Sequence, residues 1–488
     1  MKRPFHPLLF GPFIVLGVLS PNLNLVPPNE ALRPMIALVV LTTLLWIASQ
    51  LAFRNWVKSG AFASTTVLFL FAFGFVPFKV PLLAYLLVTL SCSALIAKRS
   101  RSPELLNVLA ISLFVVSLGN VAIKVVQARA ATAQVLSSTS SAPRQAPDVY
   151  FIVLDGYGRS DVLKEKIGYD NSRHIASLKE LGFKVLTNSR SNYCQTELSL
   201  GATLNLEFIQ DLIEVPEESS NRLPLQQIIA TSRVQQRFRD MGYTTIAITT
   251  GFPPTEFPNS DLNLQVRGSL SLLEDTLINL TPLKAQTVFR DSMFSERRRT
   301  LNGAFQSLSR TKGDALRPRF ILAHIVAPHP PFVFDADGNP TENRGLYGYW
   351  DGSDYTKYVG DKASYANGYS AQADYITKRL LASLRDILNG DKTPPIIIIQ
   401  GDHGSKMGLQ QNSLDGTDID ECFPILSAVY APDTIAHKFR NDESPVNTFR
   451  HLFSSLFSES YEPLPNRSWF SPFYTPYKFT EVTEMLKR

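Results

Sequence analysis

The stretch "DVYFIVLDGYG", residues 148–158, is a run of β-branched and aromatic residues that ends in Asp155 and breaks into Gly-Tyr-Gly. It reads as a buried strand that delivers an acid to the loop at its end. Two further stretches repeat the pattern. "PRFILAHIV" (318–326) carries His324 and leads to His329, and "PPIIIIQGDHG" (394–404) ends in Asp402 and His403. "GYTTIAITT" (242–250) and "CFPILSAVYAP" (422–432) add strands, and helical stretches such as 172–182 and 364–388 lie between. Strands alternating with helices predict an α/β domain with a mainly parallel central sheet. In such sheets the working groups collect beyond the carboxyl ends of the strands. Three of these ends carry a carboxylate or an imidazole.

Upstream of that domain the composition changes. Five apolar stretches, about 7–20, 34–53, 61–77, 80–97 and 105–126, follow one another with almost no acids. A membrane crossing needs about 20 apolar residues, and only helices or closed barrels satisfy the backbone in lipid. The pattern predicts an α-helical membrane domain of five helices over residues 1–128. Residues 129–147, "RAATAQVLSSTSSAPRQAP", have a linker composition. The α/β domain then covers 148–488. With the N-terminus inside, the inner loops carry Lys2, Arg3, Arg54, Lys58, Lys98, Arg99 and Arg101, and the outer loops only Arg33 and Lys79. That bias obeys the positive-inside rule, and five crossings put the second domain outside the cytoplasm. The formal charge of +5 divides into +8 for residues 1–128 and −3 for the rest. The outer domain therefore lacks the basic excess of a nucleic-acid partner.

The ligand types at the strand ends suggest a cation. Asp402 and His403 offer a carboxylate and an imidazole, and Asp155 a second carboxylate. A hydroxyl from "SNYCQTELSLGATLN" (191–205) completes a set that suits one divalent ion, zinc or manganese before magnesium or calcium. Of the three cysteines, Cys194 and Cys422 lie in the outer domain, as one disulfide or as plain buried thiols. His6, His174, His437 and His451 have no partner spacing and read as surface or core. Ser191 and Thr203 read as caps or packing. Asn192 and Arg159 are candidate substrate-binding residues, though Arg159 with Asp161 equally suits a solvated loop. The aromatic stretch 345–358 either covers the site or packs on the surface.

"VLDGYG" (153–158), a Thr-rich segment forty residues on, "AHIVAPHPPF" (323–332) and "QGDHG" (400–404), in that order, resemble the alkaline phosphatase superfamily. Five membrane helices ahead of such a domain is similar to lipoteichoic acid synthases and lipid A phosphoethanolamine transferases. The resemblance implies a sulfatase-like catalytic domain with Asp155, Thr196, Asp402 and His403 as metal ligands. It implies Thr196, in "TELS", as nucleophile, with Ser199 as runner-up. It further implies His329 at the substrate phosphate or at a second metal, and a catalytic role for His324, five residues earlier. The implied activity is a phosphoryl-alcohol transfer from a phospholipid donor to a glycan or lipid hydroxyl, at a bacterial inner membrane. A hydrolase of the same chemistry, and a non-catalytic envelope-assembly protein, are the competing readings. Two departures matter. No His follows "GDHG", which predicts one metal rather than two. "CQTEL" lacks the Pro and Arg of the sulfatase signature, so Cys194 is not a formylglycine precursor.

Overall fold

β1 (Val149–Leu154) has all six residues buried and pairs in parallel on both sides. This explains its unbroken apolar sequence, since a strand covered on both faces has no polar alternation. Its partners are β5 (Arg319–Ile325) and β6 (Ile396–Gly401). The computed structural model describes residues 3–23, 28–75, 81–132, 146–249, 251–264, 272–285, 287–311, 317–342, 347–390 and 393–486. The remaining strands are β2 (Lys184–Val185), β3 (Thr244–Thr249), β4 (Leu262–Asn263) and β7 (Ser427–Tyr430). The seven form one sheet in the order β2-β7-β6-β1-β5-β3-β4. It is mainly parallel, as expected. The exception is β7, antiparallel to both β6 and β2.

Alternate residues of the central strands build two cores. Tyr150, Ile152 and Leu154 face the helices Thr287–Arg310 and Lys362–Gly390, through Leu301, Phe305, Tyr369 and Ile376. Val149, Phe151 and Val153 face the other way, onto Leu200, Phe238, Phe449 and Phe453. The sheet is thus covered on both sides, and its working edge is the carboxyl end of β1, β5 and β6.

The N-terminal region is helical: α1 (Pro7–Leu19), α2 (Leu32–Phe53), α3 (Trp56–Ala72), α4 (Leu82–Arg99) and α5 (Glu104–Thr132). Four of these five helices are long and apolar enough to cross a membrane, and α1 is shorter. At 13 residues α1 spans about 20 Å, below the ~30 Å of a hydrocarbon core. Its apolar residues Phe10, Val15, Leu16 and Leu19 are buried in protein. By contrast α2 exposes Leu32, Ile36, Val40, Leu44, Ile47 and Leu51, and α5 exposes Leu105, Val108, Val115 and Val116. Apolar faces of that extent are suited to lipid. α3 begins five residues before the expected 61 because Asn55 caps it, accepting from the N–H groups of Val57 and Lys58. α5 continues through the Ala-rich 130–132. Residues 133–145 of the linker-like stretch lie outside the described residues.

The chain divides into two units. One is residues 1–134 with 269–293, and the other is 135–268 with 294–488. The first therefore gains a late segment of the chain. The helix Leu272–Asn279 packs Leu273 and Leu277 beside Ile14, Val15, Leu16 and Leu19 of α1, and Glu274 pairs with Arg33.

Candidate metal centre and active site

Register places the candidate ligands. Leu154 is level with Ile325 on one side and Gly401 on the other, and Val153 with His324. The residues just past the ends of β1 and β6, Asp155 and Asp402, therefore meet across adjacent strands, with His324 alongside. The loop after β1 is clamped by Tyr369, whose hydroxyl donates to Gly156 O (2.7 Å) and accepts from Gly158 N–H (3.1 Å). Gly156 has φ +74°, a turn only glycine makes without strain. Its N–H and that of His403 both donate to Asp402 Oδ1, at 2.9 and 3.0 Å.

The convergence is on His403 Nε2. It lies 3.4 Å from Asp155 Oδ1, 3.3 Å from Asp402 Oδ2 and 3.2 Å from Thr196 Oγ1. The other ring nitrogen, Nδ1, is 2.8 Å from Gly404 O, which can only accept, so Nδ1 carries the proton. Burial, with Lys406 nearby, lowers the His403 pKa and favours the neutral ring, against the pull of Asp402 and Asp155. A neutral ring with Nδ1 protonated leaves a lone pair on Nε2, facing two carboxylate oxygens that have no hydrogen-bond partner among the described residues. Asp155 and Asp402 are each 2% exposed and His403 0%. Electron pairs do not gather in a dry pocket without a cation between them. Asp155, Asp402 and His403 form a buried group able to hold a metal ion. The spacing also fits, because four ligands held tetrahedrally at about 2.0–2.1 Å stand about 3.3 Å apart.

Thr196 enters this group as the first residue of the helix Thr196–Asn205. Its position is fixed from both sides. Arg222 donates to Gln195 Oε1 (2.6 Å) and pairs with the buried Glu197, and Gln195 in turn donates to Ser471 O (2.8 Å). Ser199 is brought near but donates its hydroxyl to Asp402 O (2.6 Å), so it braces the strand end.

His329 reaches the site from the loop after β5, and its backbone N–H donates to Asp155 O (3.1 Å). Both ring nitrogens face acceptors: Nδ1 is 2.7 Å from Pro330 O, and Nε2 is 3.0 Å from Asp351 Oδ2. Burial opposes charging this ring, but Asp155 and Asp351 overcome it and raise its pKa. Acceptors at both nitrogens suit the doubly protonated ring. Lys406 Nζ lies 3.1 Å from the same Asp351 oxygen, so two buried cations share one carboxylate. Burial would lift the pKa of Asp351, and these two cations hold it far below the usual range. Glu421 shapes the loop that presents Lys406, accepting from Ser405 Oγ (2.8 Å), Met407 N–H (2.7 Å) and Gly408 N–H (2.8 Å). His324 lies 3.4 Å from Asp155 Oδ2 through Nε2, and its Nδ1 is 2.6 Å from Thr255 Oγ1.

Other sequence candidates lie elsewhere. Asn192 gives both ends of its amide to the fold, to Arg467 O (2.7 Å) and from Val446 N–H (3.0 Å). Arg159 is held by Asp161 at 2.7 and 2.9 Å and lines a separate cleft. Cys194 and Cys422 are both buried free thiols, and burial pushes the Cys194 pKa up to about 11. His174 binds Asp374 and His451 binds Glu443, as packed core histidines. Of the aromatic stretch 345–358, residues 345 and 346 lie outside the described residues. From the rest Asp351 reaches the site, which the sequence reading missed. Lys406, Glu421 and Arg222 were missed as well. For Lys406 there was a signal: a lone Lys within "DHGSKMG", in the place where a second-metal histidine was sought.

The mainly parallel seven-stranded sheet thus carries acids and imidazoles beyond the carboxyl ends of β1, β5 and β6. Among solved structures, the chain is similar to the C-terminal periplasmic domain of EptC from Escherichia coli in complex with zinc. The identity is 12% over 70% of this chain and 94% of that one, with a TM-score of 0.46. The integral membrane lipooligosaccharide phosphoethanolamine transferase A of Neisseria meningitidis matches at 11% identity. That match covers 93% of this chain and 96% of that one, with a TM-score of 0.38. The phosphonate monoester hydrolase of Agrobacterium radiobacter matches at 14%, over 66% and 80%, with a TM-score of 0.38. No family model matches the sequence, and no curated protein matches it. The likenesses concern fold and bear on no residue's role.

Proposed function

We propose that the protein is a membrane-bound, metal-dependent transferase that moves a phosphoryl-alcohol group from a phospholipid to a hydroxyl of a glycan or lipid. The observation that carries this is the position of Thr196 Oγ1, 3.2 Å from His403 Nε2 at the rim of the two-carboxylate, one-imidazole group. Thr196 gives up its hydroxyl proton to solvent and its Oγ bonds to phosphorus, the bond from phosphorus to the diacylglycerol oxygen breaks, and a phospho-threonine remains. His329 carries the proton that the leaving alkoxide needs, and with Lys406 it presents positive charge to the phosphoryl oxygens. Asp351 keeps both cations in place, and His324, held by Thr255, orients Asp155. An acceptor hydroxyl then passes its proton to the now neutral His329 and attacks phosphorus, and the bond from phosphorus to Thr196 Oγ breaks. One divalent ion, zinc before manganese on the ligand spacing, would acidify the hydroxyl and offset phosphoryl charge when bound. The free N–H groups at the start of the 196–205 helix add to that field. The donor is held in the bilayer by the first unit, with the N-terminus cytoplasmic and 148–488 outside the inner membrane of a bacterium.

The test is the intact mass of the zinc-loaded full-length protein in detergent, after incubation with phospholipids of different head groups. Wild type should gain the mass of one phosphoryl-alcohol group, and Thr196→Ala none, with turnover lowered roughly 10³-fold or more. Head-group release that ignores added acceptor alcohols would replace the transferase by a hydrolase. An unlabelled Thr196 with wild-type activity in the Ala variant would end the proposal.

A further inference from the structure

The helix Lys362–Gly390 turns one face toward the strand ends, through Tyr365, Gly368, Tyr369 and Gln372. Their spacing, i, i+3, i+4 and i+7, is that of a single helix stripe. Tyr365, Tyr369 and Gln372 are 2%, 1% and 0% exposed. Each polar group on the stripe meets the backbone of a different loop of the site. Tyr369 Oη joins Gly156 and Gly158, in the loop that follows Asp155. Tyr365 Oη accepts from the backbone N–H of Lys406 (3.3 Å), in the loop after β6. Gln372 serves the loop after β5, where its amide nitrogen lies 3.2 Å from Pro328 O, 3.2 Å from His329 O and 3.4 Å from Pro331 O. Its Oε1 accepts from Val333 N–H (2.8 Å).

The sequence of that third loop explains its dependence. In "APHPPF" (327–332) Pro328, Pro330 and Pro331 have no N–H to give. The loop is therefore poor in donors for its own carbonyls, and a buried carbonyl left unpaired is costly. Phe332 of the same loop packs edge-on against Tyr365, with ring centroids 5.2 Å apart. It lies where a Cβ at Gly368 would stand. The rings of Tyr365 and Tyr369 stack at 6.2 Å, which joins two of the three anchors.

From this arrangement we infer that one helix face divides the work of positioning the site: Tyr369 sets the metal ligand Asp155, whereas Tyr365 and Gln372 set Lys406 and His329 against the phosphate. All three act through the backbone of a neighbouring loop, so they are positioning residues. The part played by Tyr365 and Gln372 rests on the reading of Lys406 and His329 as phosphate contacts.

Two affinities separate these roles without turnover. Full-length protein in detergent is titrated with zinc against a competing chelator, and the zinc-loaded protein is titrated with inorganic phosphate. Tyr369→Phe should weaken zinc about tenfold and, once loaded, bind phosphate within about twofold of wild type. Gln372→Met should do the reverse, keeping zinc and weakening phosphate about tenfold, and Tyr365→Phe should follow it at about threefold. Gln372→Glu keeps the acceptor for Val333 and, protonated in its buried position, one donor, so it should lose less than Gln372→Met. If Gln372→Met does not fold, Tyr365→Phe, which removes a single oxygen, carries the same test. A stripe with a merely structural role would lower the unfolding midpoints and leave both affinities of the folded protein alone, or move them together, and either result would overturn the inference. Wild-type protein that binds zinc but no phosphate would overturn the part of Tyr365 and Gln372. Failure of the transferase reading looks different: no adduct on Thr196, with the split between zinc and phosphate intact.

Discussion

At the scale of single residues, the site depends on pairs of charges removed from water. The Arg222–Glu197 pair is buried, and Arg222 also holds Gln195, so it grips both neighbours of Thr196. Arg222→Met should leave Glu197 buried and unpaired, at a cost of about 3–5 kcal/mol. Turnover should fall roughly 100-fold as Thr196 loses its alignment, while the KM for a small phosphodiester changes little. The double change Arg222→Met with Glu197→Gln should recover most of the unfolding midpoint without recovering turnover. Lys406 is the second case. Lys406→Met leaves Asp351 with His329 alone and removes a cation from the phosphate side, so kcat/KM should fall 10²–10³-fold or so. Lys406→Arg should restore part of it. Asp155, Asp402 and His403 were legible in the sequence because strand ends and ligand types announce themselves locally, whereas Thr196 was singled out only by the likeness of "TELS" to a family pattern. Asp351, Lys406, Glu421 and Arg222 were not legible. Their partners lie far along the chain, and periodicity says nothing about a charge that is buried and paired.

At the scale of elements, the site exists because two parallel strands stop at the same level. The turns beyond them leave no room for side chains. A Cβ at Gly401 would meet Tyr157 O, and one at Gly404 would meet the carbonyls of Glu421 and Pro424. All of these are backbone atoms. Gly404→Ala should therefore cost about 1–3 kcal/mol or more and displace His403, so that metal binding weakens along with stability. Zinc titration and thermal unfolding of the variant would show both. The long strands of the second domain were legible from apolar runs, and the helix Lys362–Gly390 from the helical stretch 364–388, whereas the helix Thr287–Arg310 was not. β2 and the antiparallel direction of β7 were not, since a two-residue edge strand has no pattern and direction leaves no mark in composition. Helices α1, α2 and α4 end within about two residues of their apolar stretches, while Asn55 starts α3 early and α5 runs on to Thr132. The 13-residue α1 was expected to cross the membrane. It can be short because its apolar residues meet protein.

At the scale of the whole molecule, the chain returns to its first unit late. Leu273 and Leu277 are 1% and 5% exposed there, against α1. A truncated chain that begins at residue 146 should keep these leucines without their partner. Each exposes apolar surface worth about 1.5–3 kcal/mol of burial. Such a chain should aggregate or need detergent in size-exclusion chromatography, and Leu273→Ser with Leu277→Ser should relieve it. The same molecule should bind one zinc per chain by elemental analysis, because Lys406 and His329 supply the positive charge a second ion would bring. The return of 269–293 was not legible: an eight-residue helix says nothing about which unit receives it.

The central position of β1 carries a further consequence, which concerns time. β1 is complete at residue 154, but β5 ends at 325 and β6 at 401. Synthesis at about 5–20 residues per second leaves β1 without its first neighbour for roughly 9–34 s, and without its second for roughly 12–49 s. During that interval "VYFIVL" is an unpaired, uncharged β-segment, the kind that joins other chains. The strand that organises the finished sheet is therefore the one most in need of shelter while the rest is made.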